Sequence, residues 1–241
     1  LQMIYIIDHQ DSFTHNVVHQ FENFDEVVCT NFNKINENKL KKADIIVFSP
    51  GPGATKDYPT SSKIYKKYKG KKKIIGICLG FQQILHCENG KIIEQKKIYH
   101  GFQSKIKVTS KNSLFKKNSQ FTVGRYHSLK LKEPFTAKNF EITMRCAISN
   151  TAMTIENNKE KVYGFQFHPE SFLTENATWK AFFKKYKNDF SEIRERLVEF
   201  SEKICLSVGE FKKLVSRIQK GERESRIAKK AMVEANLSLV I

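Results

Sequence analysis

The chain opens on an apolar run, Met3 to Ile7, that ends in Asp8. A run without polar alternation reads as a strand buried on both faces, the habit of a central parallel strand. Phe13, Val17, Phe21 and Phe24 then recur at helical spacing, with Asp11 or Ser12 placed to cap the first turn. Further strands are predicted over Val27–Thr30 and Asp44–Phe48, a short helix over Ser62–Tyr68, and a fourth strand over Lys73–Ile77 that feeds a helical pattern from Gln82 to Leu85. Strands alternating with helices predict a parallel, doubly wound sheet. After residue 90 the rhythm changes to short strands: Lys91–Glu94, Ile106–Val108, Phe121–Tyr126, Glu141–Cys146, Met153–Glu156 and Val162–Phe167. Helix returns over Ala177–Tyr186. The expected fold class is α/β, a doubly wound mixed, mostly parallel sheet over residues 1–188, followed by an all-helical extension over 189–241.

Three segments at the ends of these strands carry chemistry. In Gly76-Ile77-Cys78-Leu79-Gly80 a thiol stands between two glycines where a strand turns into a helix. The glycines let the backbone turn tightly and the helix pack close to the strand, which pushes Cys78 out over the sheet at a helix N-terminus. There the dipole and the N–H groups favour a thiolate. The alternative is a small buried cysteine after a core strand. In Tyr163-Gly-Phe-Gln-Phe-His168-Pro-Glu170-Ser171, His168 and Glu170 are two apart in an extended segment and so face one side. A carboxylate beside an imidazole fixes its tautomer and supports the imidazolium, the orienting role in a nucleophile–base–acid triad. In Ser49-Pro50-Gly51-Pro52-Gly53 a rigid loop follows the buried run Asp44–Val47. Its N–H groups, with that of Leu79, are placed to receive an oxyanion. Cys78, His168 and Ser49 all fall at the carboxyl ends of parallel strands, where such sheets bind their ligands.

Taken together, the elbow of Cys78, His168-Pro169-Glu170 and Ser49–Gly53 resemble the class I glutamine amidotransferases. Arg125-Tyr126-His127-Ser128-Leu129, His100-Gly101 and the opening Ile7-Asp8-His9-Gln10-Asp11-Ser12-Phe13-Thr14-His15-Asn16 resemble one branch of them, the amidotransferase subunit of anthranilate synthase and aminodeoxychorismate synthase. The resemblance covers roughly residues 3–188. It implies that Cys78 attacks the side-chain amide of L-glutamine to form a thioester, that His168 moves protons and that Glu170 orients it. It further implies that Gly51, Pro52, Gly53, Leu79, Gln82, Ser128 and Leu129 hold the glutamine, Gln82 offering both a donor and an acceptor. The freed ammonia would pass to a chorismate-using synthase partner in a heterodimer or heterotetramer. No cofactor or metal is implied for this subunit; the synthase partner would need Mg2+.

The chain departs from the family pattern at four places. Phe81 stands where a histidine is usual, Phe102 where a lysine is usual, and His15 where a tyrosine is usual, and Gly53-Ala54-Thr55 lacks a customary proline. None of these removes a proposed reacting group.

Composition narrows the setting. The five cysteines show no paired spacing, which reads as reduced, cytoplasmic usage. No apolar stretch approaches the roughly 18 residues needed to span a membrane. Leu1-Gln2 ahead of Met3 reads as a translated extension. The net charge of +17 invites a nucleic-acid reading. Over residues 1–188, however, the cations are lysines apart from Arg125 and Arg145, spread as a solvated surface. Cys29 and Cys146 are expected as core thiols within strands, and Cys87 as a packing residue. His100 and His127 are expected to shape loops, and Asp8 and Asp11 to brace the first turn.

Residues 190–241 differ in kind, with arginine nearly as frequent as lysine. Ile193, Leu197, Phe200 and Ile204 make one helical stripe, and Ser207-Val-Gly-Glu210 reads as a capping box before Phe211, Leu214, Val215 and Ile218. Ala228, Ala231, Met232 and Ala235 give a third stripe. Arg217–Glu224 and Ala228–Ile241 are similar to a primary bacterial sigma factor, from region 1.2 into the start of region 2.1. The segments that read and melt a promoter are absent, so the tail reads as an adventitious fusion. The rival reading, a sigma-like module that binds RNA polymerase or DNA, predicts salt-sensitive DNA binding by this tail.

Overall fold

The computed structural model describes residues 3–175. The helix expected over Ala177–Tyr186 and the whole extension over 189–241, with its sigma-like segment, lie outside the described residues. Within them a nine-stranded sheet runs β2-β1-β3-β4-β11-β10-β9-β6-β7. The first half is parallel and comprises β1 (Met3–Asp8), β2 (Glu26–Asn31), β3 (Ile45–Phe48), β4 (Lys73–Ile77) and β11 (Val162–Phe165). From β11 onward the pairs are antiparallel, through β10 (Ala152–Asn157), β9 (Glu141–Cys146), β6 (Phe102–Val108) and β7 (Gln120–Arg125). A separate ribbon pairs β5 (Ile92–Glu94) with β8 (Leu129–Leu131). This is the mixed, mostly parallel α/β sheet expected, and of the strands after residue 90, β6, β7, β9 and β10 form its antiparallel half while β11 joins the parallel one.

The unbroken apolar runs become the middle of the sheet. Ile4, Tyr5, Ile6 and Ile7 of β1 and Ile46, Val47 and Phe48 of β3 are fully buried. One face is closed by Leu40 of α2 (Glu37–Lys42), by Ile64, Tyr65 and Tyr68 of α3 (Pro59–Tyr68), and by Phe81, Ile84 and Leu85 of α4 (Leu79–Cys87). Helix α2 escapes the sequence pattern because only Leu40 of its six residues is apolar and buried. It is instead started by Asn36, whose side chain accepts a hydrogen bond from the Lys39 N–H at 3.0 Å. Helix α3 begins earlier than expected, at Pro59, whose missing N–H is harmless in a first turn.

Helix α1 (Thr14–Glu22) has the expected buried face in Val17 and Phe21 but no side-chain N-cap. Ser12 is exposed, while the Asp11 carboxylate accepts from Phe13 N–H at 2.8 Å. The Asp8 carboxylate accepts from Gln10 N–H at 2.7 Å and from the Thr14 hydroxyl at 2.8 Å. Both acids brace the turn, as expected. Strand β6 starts four residues before the expected Ile106, because Phe102 pairs with Arg125 and carries the ladder through polar positions that apolar patterning does not see. Strand β11 ends at Phe165, short of the expected Phe167, and the chain continues as a single bridge from His168 to Gly124.

Candidate active site

Pairing of β4 with β11 brings the two chemical segments together. Gly76 is in register with Gly164 and Ile77 with Phe165, and the next amide, that of Cys78, donates to the Phe165 carbonyl at 2.7 Å. On the other side of β4, Phe48 is in register with Gly76, so the loop from Ser49 leaves the sheet beside the same point.

Cys78 sits at φ 51°, ψ −98°, at the N-terminus of α4. A positive φ on a residue with a Cβ is sterically costly and is held only where the surroundings enforce it. The enforcing contacts are the two glycines. A Cβ on Gly76 would stand 2.4 Å from the Gly80 carbonyl oxygen, and one on Gly80 would stand 2.2 Å from the carbonyl oxygen of Phe48. Only bare backbone lets strand and helix approach this closely, so the expectation of a sharp elbow is met.

His168 is 2% exposed and clamped through its backbone. Its N–H donates to the Gly124 carbonyl at 3.0 Å, and its carbonyl accepts from the Thr174 hydroxyl at 2.6 Å. Thr174 Oγ1 in turn accepts from Gly124 N–H at 2.8 Å. The imidazole Nδ1 lies 2.6 Å from Glu170 Oε1, both side chains being buried. Burial pushes the His168 pKa down, but the charges of Glu170 and Cys78, with hydrogen bonding to both, outweigh it and hold the pKa well above 6.5. The Nε2 atom makes no hydrogen bond of regular geometry, which leaves Cys78 as the group it addresses. The rings of Phe13 and Tyr126 flank His168, with centroids at 5.3 and 4.9 Å, and Tyr126 Oη lies 3.0 Å from Ser171 Oγ.

The loop over residues 49–53 is built on His9. Ser49 Oγ accepts from His9 N–H at 2.9 Å, His9 Nδ1 is 3.0 Å from the Ser49 carbonyl, and Nε2 is 2.8 Å from Ser61 Oγ. These contacts fit one tautomer, with Nδ1 donating and Nε2 accepting. Burial pushes the His9 pKa to about 4, keeping the ring neutral. Gly51 lies where a Cβ would meet Leu79 Cδ2 at 2.6 Å and His9 Cβ at 2.5 Å, so the loop and the elbow are in contact. Pro52 and Gly53 are exposed at the loop's tip, and Gly53 has φ +75°.

Gln82 is buried and its Nε2 donates to Gln166 Oε1 at 3.3 Å, while Gln166 Nε2 lies 3.8 Å from the Cys78 sulfur. Gln166 escapes the sequence reasoning, although the alternation that pairs His168 with Glu170 also puts Gln166 two residues before His168. Ser128 and Leu129 stand on a held segment. The Ser128 carbonyl accepts from Gln95 N–H at 2.9 Å, and the Leu129 carbonyl lies 2.8 Å from His127 Nδ1. Burial, followed by the charge of Arg125, pushes the His127 pKa to about 3. The neutral ring therefore donates from Nδ1 to Leu129 and accepts from Arg125 Nε at 3.0 Å. His127 shapes its loop, as expected.

The departures from the family pattern fall outside the triad. Phe81 is fully buried against Gly164 in the core, Phe102 is 49% exposed at the start of β6, and His15 is exposed on α1. Cys87 packs against the core, as expected. Cys29 does not: it faces outward from β2, the edge strand of the sheet, and is exposed. Cys146 is buried. A cavity of about 490 Å3 bordered by Asn112, Glu141, Thr143 and Glu156 shares no residue with the triad. The Glu156 carboxylate there is taken up by Ser113, Thr143 and the Leu114 N–H, so it has structural employment. Among the described residues no cluster of His, Cys, Asp or Glu is arranged to hold a metal, and no helix is long and apolar enough to cross a membrane.

Fold and site define the class: an α/β protein with a thiol on a strained elbow at the end of β4 and a buried imidazole–carboxylate pair just beyond the end of β11. The chain belongs to the class I glutamine amidotransferase family, whose description "Glutamine amidotransferase class-I" matches residues 5–187. It is 41% identical over 174 residues to anthranilate synthase component 2 of Lactococcus lactis subsp. lactis, covering 71% of this chain and 88% of that protein. It is 33% identical over 220 residues to the bifunctional protein TrpGD of Thermotoga maritima, covering 89% of this chain and 36% of that longer protein. In fold it is similar to a putative GMP synthase subunit from Thermoplasma acidophilum, with a TM-score of 0.66 at 20% identity, over 81% of this chain and 96% of that one.

Proposed function

We propose that this chain hydrolyses L-glutamine with Cys78, His168 and Glu170 and hands the ammonia to a chorismate-using synthase subunit. The observation that carries this reading is the buried 2.6 Å pair of His168 and Glu170, whose free ring nitrogen is left to Cys78 on its elbow. The glutamine amide carbon is attacked by the sulfur while His168 takes the thiol proton. The carbonyl oxygen becomes an oxyanion, for which the N–H groups of Leu79 and of the loop at Gly51 are the donors in this reading. Collapse expels ammonia, protonated from His168, and leaves a γ-glutamyl thioester. His168 then draws a proton from water, which releases glutamate and restores the thiol.

Gln82, Ser128 and Leu129 with Gly51–Gly53 are the holders of the amino-acid head group in this reading, supported by the contact of Gly51 with Leu79 and by the link of Gln82 through Gln166 toward Cys78. The engaged carbonyls of Ser128 and Leu129 indicate that this segment is rigid before substrate arrives. No cofactor enters these steps. Likeness to anthranilate synthase component 2 supports anthranilate, rather than aminodeoxychorismate, as the product made by the partner.

Replacement of Cys78 by Ser provides the test, with the synthase partner present. Glutamate release should cease and glutamine-dependent amination of chorismate with it, while amination driven by added ammonium continues. Undiminished glutamine turnover by the Ser variant would overturn the assignment of the nucleophile. An aminated product other than anthranilate would overturn the choice of partner.

A further inference from the structure

A second cysteine stands in a setting that the glutaminase chemistry does not use. Arg125 is fully buried, yet no carboxylate contacts its guanidinium among the described residues. Its Nε donates to His127, its plane lies 3.5 Å from the centre of the Tyr99 ring, and its Nη1 donates to the Cys146 sulfur at 3.5 Å. Its Nη2 is buried with no hydrogen-bond partner. A buried cation needs a counter-charge or it is strongly destabilising. His127 is neutral, so the counter-charge falls to the Cys146 sulfur or the Tyr99 phenol, and of these two the thiol is ordinarily the stronger acid.

We propose that Cys146 is held against Arg125 as a thiolate and is a site of oxidation by hydroperoxides. The sulfur closes β9 just before an exposed turn, Ala147 to Asn150, in which Ile148 is 92% exposed, so a small oxidant has a short path to it. Burial raises the Cys146 pKa, but the Ser149 hydroxyl, the backbone N–H groups of the turn and the Arg125 charge together bring it below the ordinary thiol value. Among the described residues, the other two thiols besides Cys78 go the opposite way. Partial desolvation on the edge strand, with the charge of Asp8, pushes Cys29 up to about 11, and burial pushes Cys87 up.

In the reaction the thiolate attacks one oxygen of hydrogen peroxide. An S–O bond forms, the O–O bond breaks, and hydroxide leaves to be protonated to water. Sulfur gives up two electrons to the peroxide and becomes a sulfenic acid. The oxygen gained lies beside Arg125, where Nη2 is a donor without an acceptor; the fork that contacts the sulfur is already shaped to take it. None of this depends on the glutaminase reading.

The experiment uses the full chain carrying Cys78→Ser and Cys205→Ser, which leaves Cys29, Cys87 and Cys146 as its thiols. Brief exposure to hydrogen peroxide with dimedone, followed by peptide mass mapping, compares the cysteines within one molecule, so no change at Cys146 is needed. The adduct should appear on Cys146 several-fold faster than on Cys29 or Cys87, because their thiol pKa values are shifted up and that of Cys146 down. Equal or slower labelling of Cys146 would overturn the proposal. A second readout is thiolate absorbance near 240 nm as pH is raised. The protein carrying Cys78→Ser and Cys205→Ser should show a step below the ordinary cysteine range that disappears when Cys146→Ser is added, and the absence of that step would likewise overturn it.

Discussion

His168 Nδ1 and Glu170 Oε1 meet at 2.6 Å across a single intervening proline, in a place where the histidine side chain is 2% exposed and the glutamate side chain not at all. A charge-assisted bond in such a setting orients the ring and favours its protonated form. Glu170→Gln keeps the shape and removes the charge. Glutamine kcat/KM should fall by about 100-fold or more, mostly in kcat, since the substituted group orients the base and does not bind the substrate. Linkage adds a second readout. A histidine whose folded pKa is raised contributes stability that is complete below its unfolded pKa, near 6.5, and is lost as pH rises through the folded value. The difference in melting temperature between the parent protein and Glu170→Gln should therefore be larger at pH 6 than well into the alkaline range. A difference independent of pH would contradict the ion-pair account.

Cys78 at φ 51° stores strain that the thiol chemistry requires and the fold does not. Glycine adopts this conformation without the Cβ conflict. Cys78→Gly should abolish glutamate release and yet raise unfolding stability by about 1 kcal/mol, whereas Cys78→Ala should leave the strain in place. Urea denaturation of the three proteins makes the comparison. A glycine variant no more stable than the alanine variant would mean that the elbow is relaxed.

What can be read from the chain follows from the range of each interaction. The elbow is legible because strand, glycines and thiol are contiguous, and His168 with Glu170 because two-residue alternation is local. That the segments of Cys78 and His168 lie side by side follows only indirectly, from both falling at strand ends; the in-register pairing of β4 with β11 that brings this about leaves no mark in either segment. Gln166 is easily passed over because a glutamine in a strand has no distinctive signature, although its position relative to His168 is available. Arg125 stands out as part of a motif, but its burial, and the choice of Cys146 as its neighbour, arise from β7 and β9 lying on either side of β6. Helix α2 is invisible to apolar patterning because its tie to the core is one leucine and its start is one asparagine side chain.

The approach of Gly80 to Phe48 predicts a steep penalty at a position where alanine would ordinarily help a helix. A Cβ there would sit 2.2 Å from the Phe48 carbonyl oxygen and 2.8 Å from its Cβ, and backbone cannot swing aside as a side-chain end can. Gly80→Ala should destabilise the protein by about 2–3 kcal/mol, as overpacked cores do, instead of adding the fraction of a kcal/mol expected from helix propensity. Because α4 would be levered off β3 and β4, glutamine turnover should fall together with stability. Gly70→Ala is the control for surface glycines: its Cβ would have no neighbour closer than 3.9 Å, and with φ +73° it should show only the modest cost of a left-handed residue. Equal losses for the two variants would show that the close approach is not what holds the elbow.

His9 predicts how the site behaves in acid. Its ring is fully buried, holds the Ser49 carbonyl through Nδ1 and the Ser61 hydroxyl through Nε2, and has its pKa pushed to about 4, chiefly by burial. Between pH 6.5 and 4 the unfolded chain therefore binds a proton at His9 that the folded chain does not, and stability must fall as pH falls. A displacement of this size corresponds to a loss on the order of 3 kcal/mol across that window from His9 alone. His168 does not offset it there, because below 6.5 that ring is protonated in both states. His9→Asn removes this titration while keeping a polar side chain, so its unfolding free energy in urea should vary less between pH 7 and pH 4.5 than that of the parent protein, the remaining slope including that of the buried His127. Below its pKa a protonated His9 loses its acceptor for Ser61 and loosens the loop that carries Gly51. Glutamine KM should then rise as pH falls toward 4, a range in which His168 is already protonated and does not titrate, and parallel pH profiles in the parent and His9→Asn there would refute this role for the ring.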